Sequence, residues 1–258
     1  MDVVVVSDRD SLGRVAASLV IEGLGADPAL VLGVATGSSP MTTYRALIRA
    51  RGEGTDFSHL RCVALDEYVG IPESDPRSYH AFVRREIAEP LGVRPDNVVV
   101  PDGNAADPTM ACVAFEGAIR SLGGVGIQLL GIGRNGHVGF NEPGSAFGSR
   151  TRLSRLSPTT RADNARFFPR PEDVPTQCLT QGLGTILEAA KIVLVASGSH
   201  KAAAVAAAVE GPVTESCPAS ILQLHPDATL IADRDAAVRL AGSSGAPPAA
   251  KTTWSVEP

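Results

Sequence analysis

The chain has 258 residues, 44% of them apolar, and its 23 basic and 28 acidic side chains leave a net charge of −5. That is enough chain for one large or two small domains with a substantial core. The acidic balance argues against nucleic acid as a partner, because phosphate backbones are bound through basic patches. Cys62, Cys112, Cys178 and Cys217 are scattered without a CxxC pair, which points to a reducing compartment and no zinc site.

The chain runs straight into four valines at 3–6 with neither a basic n-region nor a cleavage motif, so no secretory leader is expected. No apolar run is long enough to span a bilayer, and a cytoplasmic protein without membrane association is expected. Residues 3–6 read as a strand and 10–24 as a helix capped by Asp10 or Ser11. A strand over 30–35, a helix over 40–50 and a strand over 60–65 follow. The pattern continues with a helical stretch at 78–88, a short strand at 97–100, a helix at 108–122 and a strand at 127–130. Later come a strand at 192–196, a helix at 199–209, a strand at 230–232 and a helix at 234–240. Strands alternating with helices predict a Rossmann-like α/β fold, a mostly parallel open sheet with helices on both faces.

Residues 150–180 break this rhythm, being rich in Arg, Ser, Thr and Pro, and are expected to form a lid. From Ser243 the small, Pro-rich tail is expected to be flexible. Residues 1–242 are thus expected to form a single domain, followed by a tail over 243–258.

In a parallel sheet the loops that follow strands share one edge, and four such loops carry polar chemistry. Thr36, Gly37, Ser38 and Ser39 precede a helix that Pro40 suits at its first turn. Amides at such an N-terminus bind phosphate, although Ser39 could equally be an ordinary cap. Asp66 and Glu67 directly follow a strand, and neighbouring carboxylates can push each other's pKa apart to leave one as a base. The glycine-rich run from Gly131 to Gly144 presents Asn135, His137, Asn141 and Glu142, where His137 could move protons if oriented by Glu142 or Asn135. Lys201 stands near a helix N-terminus, a position a bound phosphate would compensate. Arg150, Arg152, Arg155, Arg161 and Arg166 crowd the lid, and one of them could close on a phosphate. Tyr79 could line the pocket or pack, and His225 reads as structural.

Several segments together resemble the glucosamine-6-phosphate deaminase (isomerase) family. They are ATGSSPMTTY (35–44), LDEYVG (65–70), SYHAF (78–82) and GIGRNGHVGFNEPGS (131–145). SRTR (149–152), TRADNARFF (160–168), GSHKA (198–202) and LQLH (222–225) match as well, so the likeness runs from about 3 to 240. It implies conversion of glucosamine 6-phosphate to fructose 6-phosphate and ammonia, without metal or organic cofactor. It also implies that His137 assists ring opening, that Glu142 and Asn135 tune the imidazole, and that Asp66 moves a proton between C2 and C1. Ser38, Ser39, Lys201 and Arg166 match the family's phosphate-binding positions. Many members carry Asp at the place of Asn135, which implies a shifted pH optimum here. Some members are hexamers activated by N-acetylglucosamine 6-phosphate. With Ser154 in place of a basic residue and no tyrosine after Tyr79, that activation is not expected, and a homo-oligomer is one of several states the family allows. The alternatives are a 6-phosphogluconolactonase and a non-catalytic sugar-phosphate sensor. The first departs from this chain at Phe140-Asn141-Glu142-Pro143, and the second lacks an attached DNA-binding module here.

Overall fold

Consecutive β-branched residues suit a strand buried on both faces. In the computed structural model, which describes residues 1–241 and 254–256, the opening valines lie in β1 (Asp2–Val6). Val3 and Val5 enter one apolar core, while Val6 enters a second with Val4 packed against it. The chain continues through α1 (Arg9–Ala26), β2 (Val31–Val34), α2 (Met41–Gly52), β3 (Arg61–Ala64), β4 (Asp66–Tyr68) and α3 (Tyr79–Val83). A π-helical turn, Arg84–Ala88, leads into α4 (Glu89–Leu91), then β5 (Val98–Val99), α5 (Pro108–Ser121), β6 (Ile127–Gly131), β7 (Arg152–Arg155) and α6 (Pro158–Asn164). It closes with β8 (Gln177–Thr180), α7 (Leu183–Ile186), β9 (Lys191–Ala196), α8 (Ala202–Val209), β10 (Ala228–Asp233), α9 (Arg234–Ala237) and β11 (Trp254–Val256).

The main sheet has the order β11-β1-β10-β9-β6-β2-β3-β5, and its pairings are parallel. Period-two alternation sorts its side chains between the two cores. Ile192, Leu194 and Leu230 join Phe115 and Ile119 of α5 and Val205 of α8 on one face. Val193, Val195 and Ile231 join Leu12 and Val20 of α1 and Tyr44 and Leu47 of α2 on the other. After β2 the chain moves to β3 on one side, whereas after β6 it reaches β9 on the other. Such a reversal opens a crevice beyond the carboxyl ends of the two neighbouring strands.

Three sequence expectations change. The cap of α1 is Asp8, which accepts from the Ser11 amide at 2.7 Å, so the helix starts two or three residues earlier than Asp10 or Ser11 would set it. Asp66 and Glu67 are not in a loop but in β4, part of a small antiparallel sheet ordered β4-β8-β7. Residues 150–180 are therefore not irregular throughout, since β7 and β8 pair within them and α6 bridges the two. The tail from Ser243 lies outside the described residues, except that Trp254–Val256 pairs with β1. Among the described residues no helix is long and apolar enough to cross a membrane.

Gly13 lies where α1 meets α2, and a Cβ there would stand 2.5 Å from the Thr42 carbonyl oxygen. Backbone cannot move aside as a flexible side chain can. Gly13→Ala is expected to destabilise by about 1–3 kcal/mol through overpacking, despite alanine's better helix propensity. Scanning calorimetry should show a fall of roughly 2–4 °C in Tm per kcal/mol; an unchanged or higher Tm would mean the helices separate without penalty.

Candidate functional site

The carboxyl ends of β2, β3, β6 and β9 deliver their loops to one cavity of about 390 Å³. Thr36, Gly37, Ser38, Ser39, Asp66, His137, Arg166 and Lys201 all line it. Asn135 and Glu142 do not; they stand behind His137 and act on it through hydrogen bonds.

The loop after β2 is pinned from below. The Tyr44 hydroxyl accepts from the Ala35 amide at 3.0 Å and donates to the Ala35 carbonyl at 2.8 Å. The Arg9 guanidinium donates to the Ser38 carbonyl. Gly37 has φ of +99°, the left-handed region. The residue before α2 is Pro40, and no side chain caps that helix. Ser39 is thus not an ordinary cap, and the helix N-terminus faces a cavity lined by Ser38 and Ser39.

Asp66 is 4% exposed, and burial, with the Glu67 charge second, holds its pKa well above the ordinary carboxylate value. No described donor is hydrogen-bonded to its carboxyl. Glu67 differs. It accepts from the amides of Tyr68, Tyr79 and His80 at 2.8 to 2.9 Å, so it clamps the start of α3 rather than facing the cavity. Burial raises the Glu67 pKa, and these amides partly counter that rise. The clamp sets Tyr79 in the cavity wall, its ring 4.7 Å from that of Tyr68.

His137 illustrates how a hydrogen-bond chain decides a tautomer. Asn135 Nδ2 donates to Glu142 at 2.8 Å, which leaves Asn135 Oδ1 as an acceptor only. That oxygen is 2.7 Å from His137 Nδ1, so Nδ1 carries the proton and Nε2 keeps the free lone pair. Glu142 also accepts from Ser157 at 2.8 Å and from Thr160. Burial pushes the Glu142 pKa up, but the Thr160 bond, the His137 charge and the Asn135 and Ser157 bonds prevail and hold it below the ordinary value. Burial lowers the His137 pKa, with the Glu142 charge opposing. The ring lies so close to Gly133 that a Cβ there would sit 2.2 Å from it, so a side chain at 133 would displace the imidazole.

Lys201, just before α8, lines the same cavity as Arg166, and burial lowers the pKa of its ammonium. Of the other four lid arginines, Arg155 is exposed on β7 and three are engaged elsewhere. Arg150 pairs with Glu116 at 2.5 Å, Arg152 donates to Asn141 and Ser145, and Arg161 donates to the Val174 carbonyl. His225 is structural, 2.8 Å from the Ala189 carbonyl and accepting from the Asp227 amide. The sequence did not single out Ser157, Thr160, Arg134, Asp163 or His200, although all but Ser157 lie in the segments that carry the resemblance. Ser157 had a local signal of its own as the Ser-Pro start of α6, where it caps the Thr160 amide.

An open parallel sheet with a helix N-terminus, lysine and arginine side chains and a hydrogen-bonded histidine–amide–carboxylate chain at its switch point is the arrangement of an α/β enzyme. The family model described as glucosamine-6-phosphate isomerases/6-phosphogluconolactonase matches residues 9–231, and the chain belongs to that family. A glucosamine-6-phosphate deaminase of Cutibacterium acnes is 54% identical over 241 residues, 93% of this chain and 92% of the relative. One from Streptomyces coelicolor is 51% identical over 242 residues, 93% of each chain. The solved structure of a monomeric glucosamine-6-phosphate deaminase superposes with a TM-score of 0.90 at 43% identity, covering 93% of this chain and all 100% of that one. A 6-phosphogluconolactonase from Trypanosoma cruzi shares the fold with a TM-score of 0.75 at 22% identity, covering 93% of this chain and 97% of its own.

The charges around His137 set signs that NMR titration can read. Glu142→Gln removes the carboxylate that favours the imidazolium, so the His137 pKa is expected to fall further. Asn135→Asp adds a negative charge beside Nδ1 and is expected to raise it. A rise in Glu142→Gln would show that Glu142 acts on the imidazole other than through its charge.

Proposed function

We propose that this chain converts glucosamine 6-phosphate and water to fructose 6-phosphate and ammonia, an isomerisation coupled to deamination. The observation that carries this reading is the meeting, at one cavity, of the unbonded carboxyl of Asp66 with the imidazole that Asn135 and Glu142 hold in one tautomer. Relatives of that name at about half identity over most of the chain support it.

The phosphate is bound by Thr36, Gly37, Ser38 and Ser39 at the start of α2, by Lys201 and by Arg166. Binding energy from this remote group positions the reacting carbons. His137 Nε2 takes the proton of the anomeric hydroxyl as the C1–O5 bond breaks, and O5 receives a proton in return. Asp66 removes the C2 proton of the open aldehyde while the carbonyl oxygen O1 takes up a proton, giving an enol, and a proton is then delivered to C1 as the C2–N bond becomes an imine. Water adds to C2, ammonia leaves, and a C2 ketone remains. Burial makes the ionised Asp66 a stronger base than an exposed aspartate. The low pKa of Glu142 keeps it charged beside the transient imidazolium. Each step moves protons that these side chains can carry, so the reading needs no metal or organic cofactor.

Residues 1–242 act as one catalytic domain, with the 150–180 segment as its lid through α6 and Arg166. Four buried cysteines without disulfides among the described residues suit a cytoplasmic setting.

The test is ammonia and fructose 6-phosphate release from glucosamine 6-phosphate. Wild type should turn over, Asp66→Asn should lose about 10²–10⁴-fold in kcat, and His137→Gln should lose a comparable factor. Full activity in Asp66→Asn would defeat its proton-transfer role. Bound sugar phosphate without turnover in wild type would favour a sensor, and hydrolysis of 6-phosphogluconolactone a lactonase.

A further inference from the structure

Three cations line one cavity: Lys201, Arg166 and Arg134 of the glycine turn. The proposed reaction uses the first two. Arg134 donates to Asp163 of α6 at 2.5 Å, and Asp163 lines the same cavity. The two side chains are 52% and 40% exposed, so the pair is a solvated rim contact that contributes little to stability. Its position matters more than its strength, because it joins the glycine turn to the segment that carries Arg166. Both charges also act on Lys201 and His200, Asp163 favouring and Arg134 opposing their protonated forms. The Arg134–Asp163 pair therefore stands beside the cations of the phosphate end.

Charge balance shows what Arg134 adds. Without it, the Asp163 carboxylate would cancel one of the two remaining cations and leave a single net positive charge to meet a phosphate dianion. With it, two net charges remain. A guanidinium fork fits carboxylate and phosphate oxygens alike, so a phosphate can take the place that the Asp163 carboxylate holds. Resting on the sugar-phosphate reading above, we infer that Arg134 is a third phosphate-recognising cation of this site, exchanging Asp163 for phosphate oxygens as substrate binds. Asp163 then serves as an internal anion that holds the guanidinium at the rim.

Calorimetric binding of fructose 6-phosphate and of inorganic phosphate tests this without requiring turnover. Arg134→Gln should weaken both ligands about tenfold, the loss expected of one charge-assisted contact, and raise KM for glucosamine 6-phosphate by a similar factor with kcat within about twofold. Asp163→Asn should bind both as tightly as wild type or tighter. The decisive variant is Arg134→Gln with Asp163→Asn, which restores the wild-type net charge but not the contact, and it should stay weak. Recovery to within about twofold of wild type in the double variant would reduce Arg134 to a neutraliser of Asp163 and overturn the inference, as would unchanged affinity in Arg134→Gln. Wild type that binds fructose 6-phosphate yet releases no ammonia would defeat the deaminase reading alone and leave the binding series decisive for Arg134.

Discussion

The parallel pairing of β2 with β6, Leu32 beside Ile127 and Gly33 beside Gln128, is the contact on which the site depends. It places two neighbouring strands with their carboxyl ends together although the chain leaves them in opposite directions. The serine loop and the glycine turn thereby line one cavity together. The packing under that pair is close, since a Cβ on Gly33 would overlap the buried amide of Gln128. The cavity is therefore set by strand order, and its lining by what each strand carries just beyond its end.

Three buried or half-buried acids at this edge are treated in three ways, and the difference is hydrogen bonding. Glu67 receives three backbone amides and becomes a clamp. Glu142 receives an amide and two hydroxyls and stays charged. Asp66 receives none from the described residues and is left basic. Carboxylates with full partners hold geometry, whereas one stripped of partners holds chemical potential for a proton. One short segment thus supplies both the support and the base.

The second sheet was the least legible part of the fold. β4, β7 and β8 are three to four residues long, too short for alternation to register, and β4 pairs with β8 across about a hundred residues of chain, Asp66 opposite Thr180. A composition rich in Arg, Ser, Thr and Pro read as irregular because a strand's hydrogen bonds come from its partner and leave no local trace. Ser39 was equally ambiguous, since its role turned on Pro40 taking the position before α2. From β1 to β10 the order of the main-sheet strands and of most helices was legible because apolar runs alternate with amphipathic stretches, whereas α7 and β11 were not anticipated and the start of α8 and the end of α9 differ from expectation by three residues.

By itself, the sequence determined that this is a parallel α/β chain, that its polar loops share one edge, and which residue types stand there. Those facts follow from local periodicity and from the rule that parallel strands point the same way. Its likeness to a deaminase family was also written in contiguous motifs. Only the tertiary structure decided that Asn135 links Glu142 to His137, that Glu67 faces a helix start while Asp66 faces the cavity, and that Arg134 meets Asp163. Each of these depends on a hydrogen bond or on burial between residues distant in the chain or turned by a tight loop. Such contacts have no period and no composition, and they exist only once the sheet has brought the loops together.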